Sequence, residues 1–236
     1  MIVSIHQPHF LPWMGYMNKV ANSDKFVYLD TVQFRKNYFQ NRTKIKSIAG
    51  MPLWLTLPVH NHFGDLIYDI RISESDWKKK IIGKVHANYA KAPYYSVYSE
   101  ALYEVWFGCE SDRLTDINLI TFMHLKKLLN IQTEIILASE LQIESSEPTG
   151  RLVEICRDLG ASAYIAGKGG RDYMNPVAFE KENIEIKWQD FDPGEIRYSQ
   201  IGQGYVAGLS IIDCLFNVGK EAAETLTKSA WMVRKY

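Results

Sequence analysis

Long apolar runs are missing from this sequence. None of about 18 residues occurs along its 236 positions, so no membrane-spanning helix is expected. The opening MIVSIHQP has neither a basic stretch nor an extended apolar core, and no secretory signal is expected from it. Cysteine is scarce. Cys109, Cys156 and Cys214 stand far apart and form no Cys-x-x-Cys pair. Cys156 and Cys214 fall in half-apolar helical stretches and read as small core residues, as in a reducing, cytoplasmic compartment. Charge of one sign is also not in excess: Lys+Arg and Asp+Glu each number 27. That balance argues against a wholesale nucleic-acid or anionic-membrane binder and leaves room for a local basic pocket. There is no Gly-x-Ser-x-Gly elbow, no Walker A order, no internal repeat and no low-complexity segment.

What is present is an alternation of strand and helix patterns. The length suits one α/β domain over 1–236, with a helical insertion or subdomain at about 74–130. Ile2 to Ile5 (IVSI) reads as a buried strand ending abruptly in polar residues. From Pro12 the apolar period becomes helical, through Trp13, Tyr16, Met17 and Val20. Lys25–Leu29, Trp54–Val59 and Leu66–Ile72 read as strands, with a polar, basic connection over Asp30–Lys46. The middle predicts helices over Asp76–Tyr89, Tyr94–Phe107 and Leu114–Leu129, the first capped by Ser75 or Asp76. Strands then return at Glu134–Ala138, Ala163–Ala166 and Ile184–Trp188. Between and after them come helices at Gly150–Leu159, Pro176–Lys181 and Leu209–Asn217, the last stopped near Gly219. Lys228–Tyr236 reads as a loosely held tail. The pattern predicts a Rossmann-like, mostly parallel sheet with helices on both faces.

His6 and His9 sit between the first strand and the first helix. In open α/β sheets ligands bind at the carboxyl ends of strands, where helix N-termini favour anions. Two imidazoles there, with Gln7 and Pro8 between them, suit stabilisation of a charged transition state. The run Arg35–Lys44 holds four cations and no acid. Within it Arg42 offers a bidentate fork and Lys44 a point charge, with the amides Gln40 and Asn41 interleaved and Gln33 just ahead of it. Gly167-Lys168-Gly169-Gly170-Arg171-Asp172 follows a late strand, where backbone N–H groups can approach an anion. Ser210 can cap the last helix or donate to a phosphate, and Asp213 and Asn217 share a face of that helix. His60 and His62 end the third strand. No Cys and no carboxylate stand at a diagnostic spacing to them, so no metal site is expected. His86 and His124 read as structural.

The placement of His6 and His9 resembles the HxGH signature of the nucleotidylyltransferase superfamily, with Pro8 where that superfamily has Gly. Val32-Gln33-Phe34 and Tyr164-Ile165-Ala166-Gly167-Lys168 are similar to strand-end segments of its pantothenate-synthetase branch. A broader resemblance is to the WbqC-like protein family. It rests on His6-Gln7-Pro8-His9-Phe10-Leu11-Pro12-Trp13-x-Gly15-Tyr16, Asp24-x-Phe26-Val27-x-Leu29-Asp30, Val32-Gln33-Phe34, Asn41-Arg42-x-Lys44-Ile45, Trp54-Leu55-Thr56-x-Pro58-Val59, Tyr164-Ile165-x-Gly167-x-Gly169-Gly170 and Leu209-Ser210-Ile211-Ile212-Asp213-x-Leu215-Phe216-Asn217-x-Gly219. That resemblance implies a role in bacterial O-antigen or other surface-polysaccharide biosynthesis.

Together these readings give an expected enzyme. It would act on a phosphorylated or nucleotide-activated small molecule, such as a sugar nucleotide, by nucleotidylyl transfer or adenylation-type chemistry. ATP or another nucleotide with Mg²⁺ is the expected cofactor. His6, His9 and Lys168 are the expected catalytic groups. Gln7, Asp30, Gln33, Asn41, Arg42, Lys44, Gly167, Gly169, Gly170, Arg171 and Ser210 are the expected binding groups. An acyl- or amino-group transferase on a nucleotide-linked sugar, and a non-catalytic sugar- or nucleotide-binding partner, are the alternatives. A homodimer is compatible with the sequence; membrane insertion and nucleic acid are not expected.

Overall fold

A computed structural model describes residues 1–228. Five strands form one parallel sheet: β1 (Ile2–His6), β2 (Lys25–Tyr28), β7 (Glu134–Leu137), β8 (Ala163–Ala166) and β9 (Glu185–Trp188). Their spatial order is β7-β2-β1-β8-β9. The chain therefore builds outward from β1 on one side and then crosses back to build on the other. That reversal puts a topological switch point between β1 and β8, where the connections leave in opposite directions and open a crevice at the carboxyl edge.

The strands are apolar on both faces because both faces are covered. Val3, Ile5, Val27 and Leu29 join one core with Leu152 and Cys156 of α5 (Pro148–Asp158) and Phe179 of α6 (Pro176–Lys181). Phe26 and Tyr28 join the other core, with α1 (Met14–Ala21), α2 (Trp77–Tyr89), α3 (Tyr95–Phe107), α4 (Leu114–Leu128), α7 (Ile211–Val218) and α8 (Glu221–Lys228). The α/β arrangement with helices on both faces is thus the one that the alternating pattern predicts. The helices over 77–128 share a core with the sheet: Phe122 of α4 stacks on Tyr28 with ring centres 5.6 Å apart.

Some elements differ from the sequence expectation. β3 (Arg42–Lys46) lies inside the stretch read as a connection and pairs antiparallel with β4 (Pro52–Thr56). The expected strand over Trp54–Val59 is broken. Beyond β4, Pro58 has no N–H to give, and only β5 (Val59–His60) resumes pairing. The expected strand over Leu66–Ile72 is a 3₁₀ turn at Ile67–Asp69 followed by β6 (Arg71–Ile72), which pairs with β5. Asp76 is the residue before α2, but its side chain makes no capping bond there. α5 begins two residues earlier than the apolar period suggests, because Glu147 caps the free N–H groups of Thr149 and Gly150 ahead of the apolar face. Gly219 stops α7 at φ 62°, where an L side chain is strained. α8 follows it, where the sequence reading ended the helices. Of the tail expected to be loose, residues 229–236 lie outside the described residues. Among the described residues no helix is long and apolar enough to cross a membrane.

Candidate functional site

A cleft of about 770 Å³ opens at the carboxyl ends of β1 and β8, at the switch point. Its floor comes from the β1–α1 connection. His6 is the last residue of β1, and the chain then turns through Gln7 and Pro8 to His9. Leu11 takes a positive φ of 44°, unusual for a side chain of its shape. Two hydroxyls hold that turn: Thr43 Oγ1 and Ser210 Oγ both donate to the Leu11 carbonyl, at 2.9 and 2.8 Å.

The turn brings the imidazoles together. The His6 and His9 rings meet edge to face with centres 4.7 Å apart. His9 is sandwiched between Tyr16 at 4.8 Å and Phe39 at 5.4 Å, both stacked. Only 4% of His9 is exposed, yet neither of its ring nitrogens has a hydrogen-bond partner among the described residues. Buried polar atoms are ordinarily satisfied, so two orphaned nitrogens on a cleft wall mark a place for a ligand atom. His6 differs. Its Nδ1 lies 3.0 Å from the Gln7 carbonyl, which can only accept. Nδ1 therefore carries the proton, and in the neutral ring Nε2 is left as an acceptor. Burial, with Lys19 alongside, pushes the His6 imidazole down to about 4. Burial, with His6 beside it, holds His9 well below the ordinary histidine range. Both rings are neutral at pH 7.

Lys19 also reaches the cleft. It sits on α1, is 3% exposed, and donates from Nζ to the Ile5 carbonyl at 2.9 Å. Burial pulls its amine down to about 7. Tyr16 Oη donates to the Gln7 carbonyl at 3.2 Å, and burial raises its phenol well above 10.

The opposite wall is the turn after β8. Gly167, Lys168, Gly169 and Gly170 all line the cleft. A Cβ at Gly170 would lie 2.6 Å from Met174 Sδ, so a side chain there would have to displace Met174, whereas Gly167 and Gly169 face open space. Lys168 is exposed and pairs with Asp190 at 3.2 Å. Arg35, Tyr38 and Asp172 reach the cleft from its rim.

Of the residues singled out in the sequence, the structure brings His6, Gln7, His9, Gly167, Lys168, Gly169 and Gly170 to one cleft. The others stand elsewhere. Arg42 and Lys44 lie over the Trp54 ring at 4.1 and 4.9 Å, on the β3–β4 hairpin. Asn41 Nδ2 donates to the Leu57 carbonyl. Gln33 is exposed and bridges to Leu66. Asp30 accepts from the Ser139 N–H and hydroxyl at 3.0 and 2.8 Å, and burial raises its carboxyl. Arg171 covers the Trp188 ring at 5.2 Å. Ser210 is fully buried and caps α7. His60 and His62 are exposed, and among the described residues no group of three His, Cys, Asp or Glu is disposed to hold a metal.

Sequence reasoning missed Lys19, Tyr16 and Gln189 as cleft residues. Tyr16 reads as core from its spacing, and Gln189 follows a strand end with no motif around it. Lys19 carried no legible signal: every residue of α1 from Met14 to Val20 is buried, and only the packing around the helix sets that.

A family model described as the WbqC-like protein family matches residues 7–225. A Mycobacterium tuberculosis protein, Uncharacterized protein Rv1507c, is 29% identical over 226 residues, spanning 95% of this chain and 96% of its own. No solved structure gives a significant match. The cleft-lining turn from Gln7 onward, the glycine-rich loop and the capping serine all lie within the matched span, and the chain belongs to the WbqC-like protein family.

Proposed function

We propose that the chain is an enzyme that binds a phosphorylated or nucleotide-activated small molecule in this cleft and transfers a nucleotidyl group, within the assembly of a bacterial surface polysaccharide. The observation that carries the reading is His9, buried and stacked at the switch point with both ring nitrogens unpartnered among the described residues. A cleft of about 770 Å³ suits a ligand of nucleotide size. The residues fit a phosphate chain. Gly167 and Gly169 leave room for close approach, Lys168 and Arg35 supply positive charge, and Asp172 is a carboxylate on the same cleft. Asp172 would hold Mg²⁺ entering with a nucleotide, and that ion would neutralise phosphate charge. Arg42 and Asp30, expected binding groups, are engaged elsewhere, and in this reading Arg35 supplies the charge and Asp172 the carboxylate.

The chemistry needs positioning more than covalent help. An oxygen of the acceptor attacks the α-phosphorus, and the bond to the pyrophosphate oxygen breaks, that oxygen keeping the electron pair. His9 donates its one N–H to a phosphoryl oxygen as negative charge builds there. His6 Nε2, an acceptor by its tautomer, receives the proton when the acceptor attacks through a hydroxyl; a phosphate dianion attacks with no proton to lose. Lys168 and Arg35 hold the departing pyrophosphate.

The test is pyrophosphate release. Purified protein is incubated with Mg²⁺, each of the four common nucleoside triphosphates and a panel of sugar phosphates. Acceptor-dependent pyrophosphate release, lost in His9→Phe, is expected. Product formed from nucleotide sugars without nucleotide consumption points instead to acyl or amino transfer. If His6→Ala and His9→Ala proteins fold and still support polysaccharide assembly in cells, the catalytic reading is wrong.

A further inference from the structure

Lys19 is a lysine in the wrong place for a solvated charge. It is 3% exposed, on the floor of the cleft, and its Nζ has one hydrogen bond, to the Ile5 carbonyl. The groups facing it are His6 and the Ile5 carbonyl of β1, the Tyr164 ring of β8 at 5.7 Å and the Cys156 thiol of α5. None is a carboxylate, and among the described residues Lys19 makes no ion pair. A buried ammonium without a counter-ion is strongly disfavoured. His9, on the same floor, offers an N–H that nothing among the described residues accepts.

We infer that the floor of the cleft is a subsite for an anionic group of the ligand, its phosphoryl group in the reading above, for which Lys19 supplies the charge and His9 the hydrogen bond. The inference rests on that reading and deepens it: the ligand brings the counter-ion that the protein omits. Because the amine is held near 7, the empty cleft is largely uncharged at this point above neutrality, and the anion must bind together with a proton. Affinity then falls with rising pH. Repulsion by nearby carboxylates is not the cause, since none of the described residues facing Lys19 is a carboxylate. His6 starts from about 4 and stays neutral over the same window.

Equilibrium dialysis with radiolabelled sulfate, a dianion that does not titrate near neutrality, tests this at constant chloride. The dissociation constant is expected to weaken about tenfold between pH 7.5 and 8.5. In Lys19→Met, sulfate binding should be weaker at pH 6.5 and lose its pH dependence. A wild-type constant that changes less than twofold over pH 6.5–8.5 overturns the role of Lys19 while leaving the cleft an anion site. No sulfate binding at any pH overturns both readings. Acetate binding more tightly than sulfate overturns the phosphoryl assignment. The wild-type pH series decides the matter even if Lys19→Met does not fold.

Discussion

Replacing Lys19 by Met should make the empty protein more stable. In an unfolded chain the amine titrates near 10.5; in the cleft floor burial takes it to about 7. Between those values the unfolded chain holds more protons than the folded one, so wild-type stability rises with pH across this window. A shift of that size corresponds to about 5 kcal/mol when fully expressed, and roughly 4 kcal/mol of it opposes folding at pH 7. From pH 6.5 to 8.5 the wild type should gain about 2 kcal/mol. The window is bounded on both sides. Below it His6 and His9 add their own penalty. Above it the Cys156 and Cys214 thiols, raised to about 12 by burial, begin to favour the unfolded chain. Met matches the length of the stem and discards the charge, at the loss of the bond to the Ile5 carbonyl, about 1 kcal/mol. The net expectation is roughly 3 kcal/mol of added stability for Lys19→Met at pH 6.5, shrinking towards pH 8.5. Urea unfolding of both proteins at four pH values, followed by tryptophan fluorescence, measures it. A wild type that loses stability between pH 6.5 and 8.5, or a Met variant less stable at pH 6.5, refutes the account of Lys19 as an uncompensated buried amine.

Other expectations follow from neighbouring features. His9→Phe keeps the stack between Tyr16 and Phe39 and removes two unsatisfied nitrogens, so it should raise stability by about 1–2 kcal/mol while lowering turnover at least about 100-fold. A denaturation midpoint set beside pyrophosphate release checks both halves. Asp213 receives Tyr89 Oη at 2.5 Å, Tyr198 Oη at 2.6 Å and Gln200 Nε2 at 3.0 Å, tying the connection before α7 to the helix core. Asp213→Ala should cost roughly 3 kcal/mol or more, and should speed proteolysis in the 190–209 segment that lends Phe191 and Gly208 to the cleft. Gly15→Ala would place a Cβ 2.3 Å from the Trp13 ring. The indole must move, and ligand binding should weaken more than helix stability, which isothermal titration beside circular dichroism would separate.

The sequence made the sheet legible because a parallel strand covered on both faces needs an unbroken apolar run, as in IVSI and Ala163–Ala166. Helices over 77–128 were legible for the matching reason, since one apolar face recurs with a helical period. The β3–β4 hairpin was not: Arg42, Thr43, Lys44 and Lys46 look solvated, yet Thr43 and Lys46 are buried and Arg42 and Lys44 lie against Trp54. Cations that read as phosphate ligands are there cations stacked on an aromatic ring. Ser210 shows the same ambiguity resolved by packing, for a hydroxyl that can reach a ligand can equally close a cap and hold the Leu11 carbonyl.

By itself the sequence determined the layers, the parallel sheet and the presence of two histidines where β1 ends and its polar turn begins, because periodicity and strand-end chemistry are local properties. Only the tertiary structure decided which distant segments meet that turn. Strand order placed β8 beside β1, and so brought the Gly167–Gly170 loop to His9. It also decided which charges are buried. Lys19 became an unpaired amine and His6 an acceptor through the environment packed around them, and no residue type carries its dielectric surroundings or its tautomer in its name.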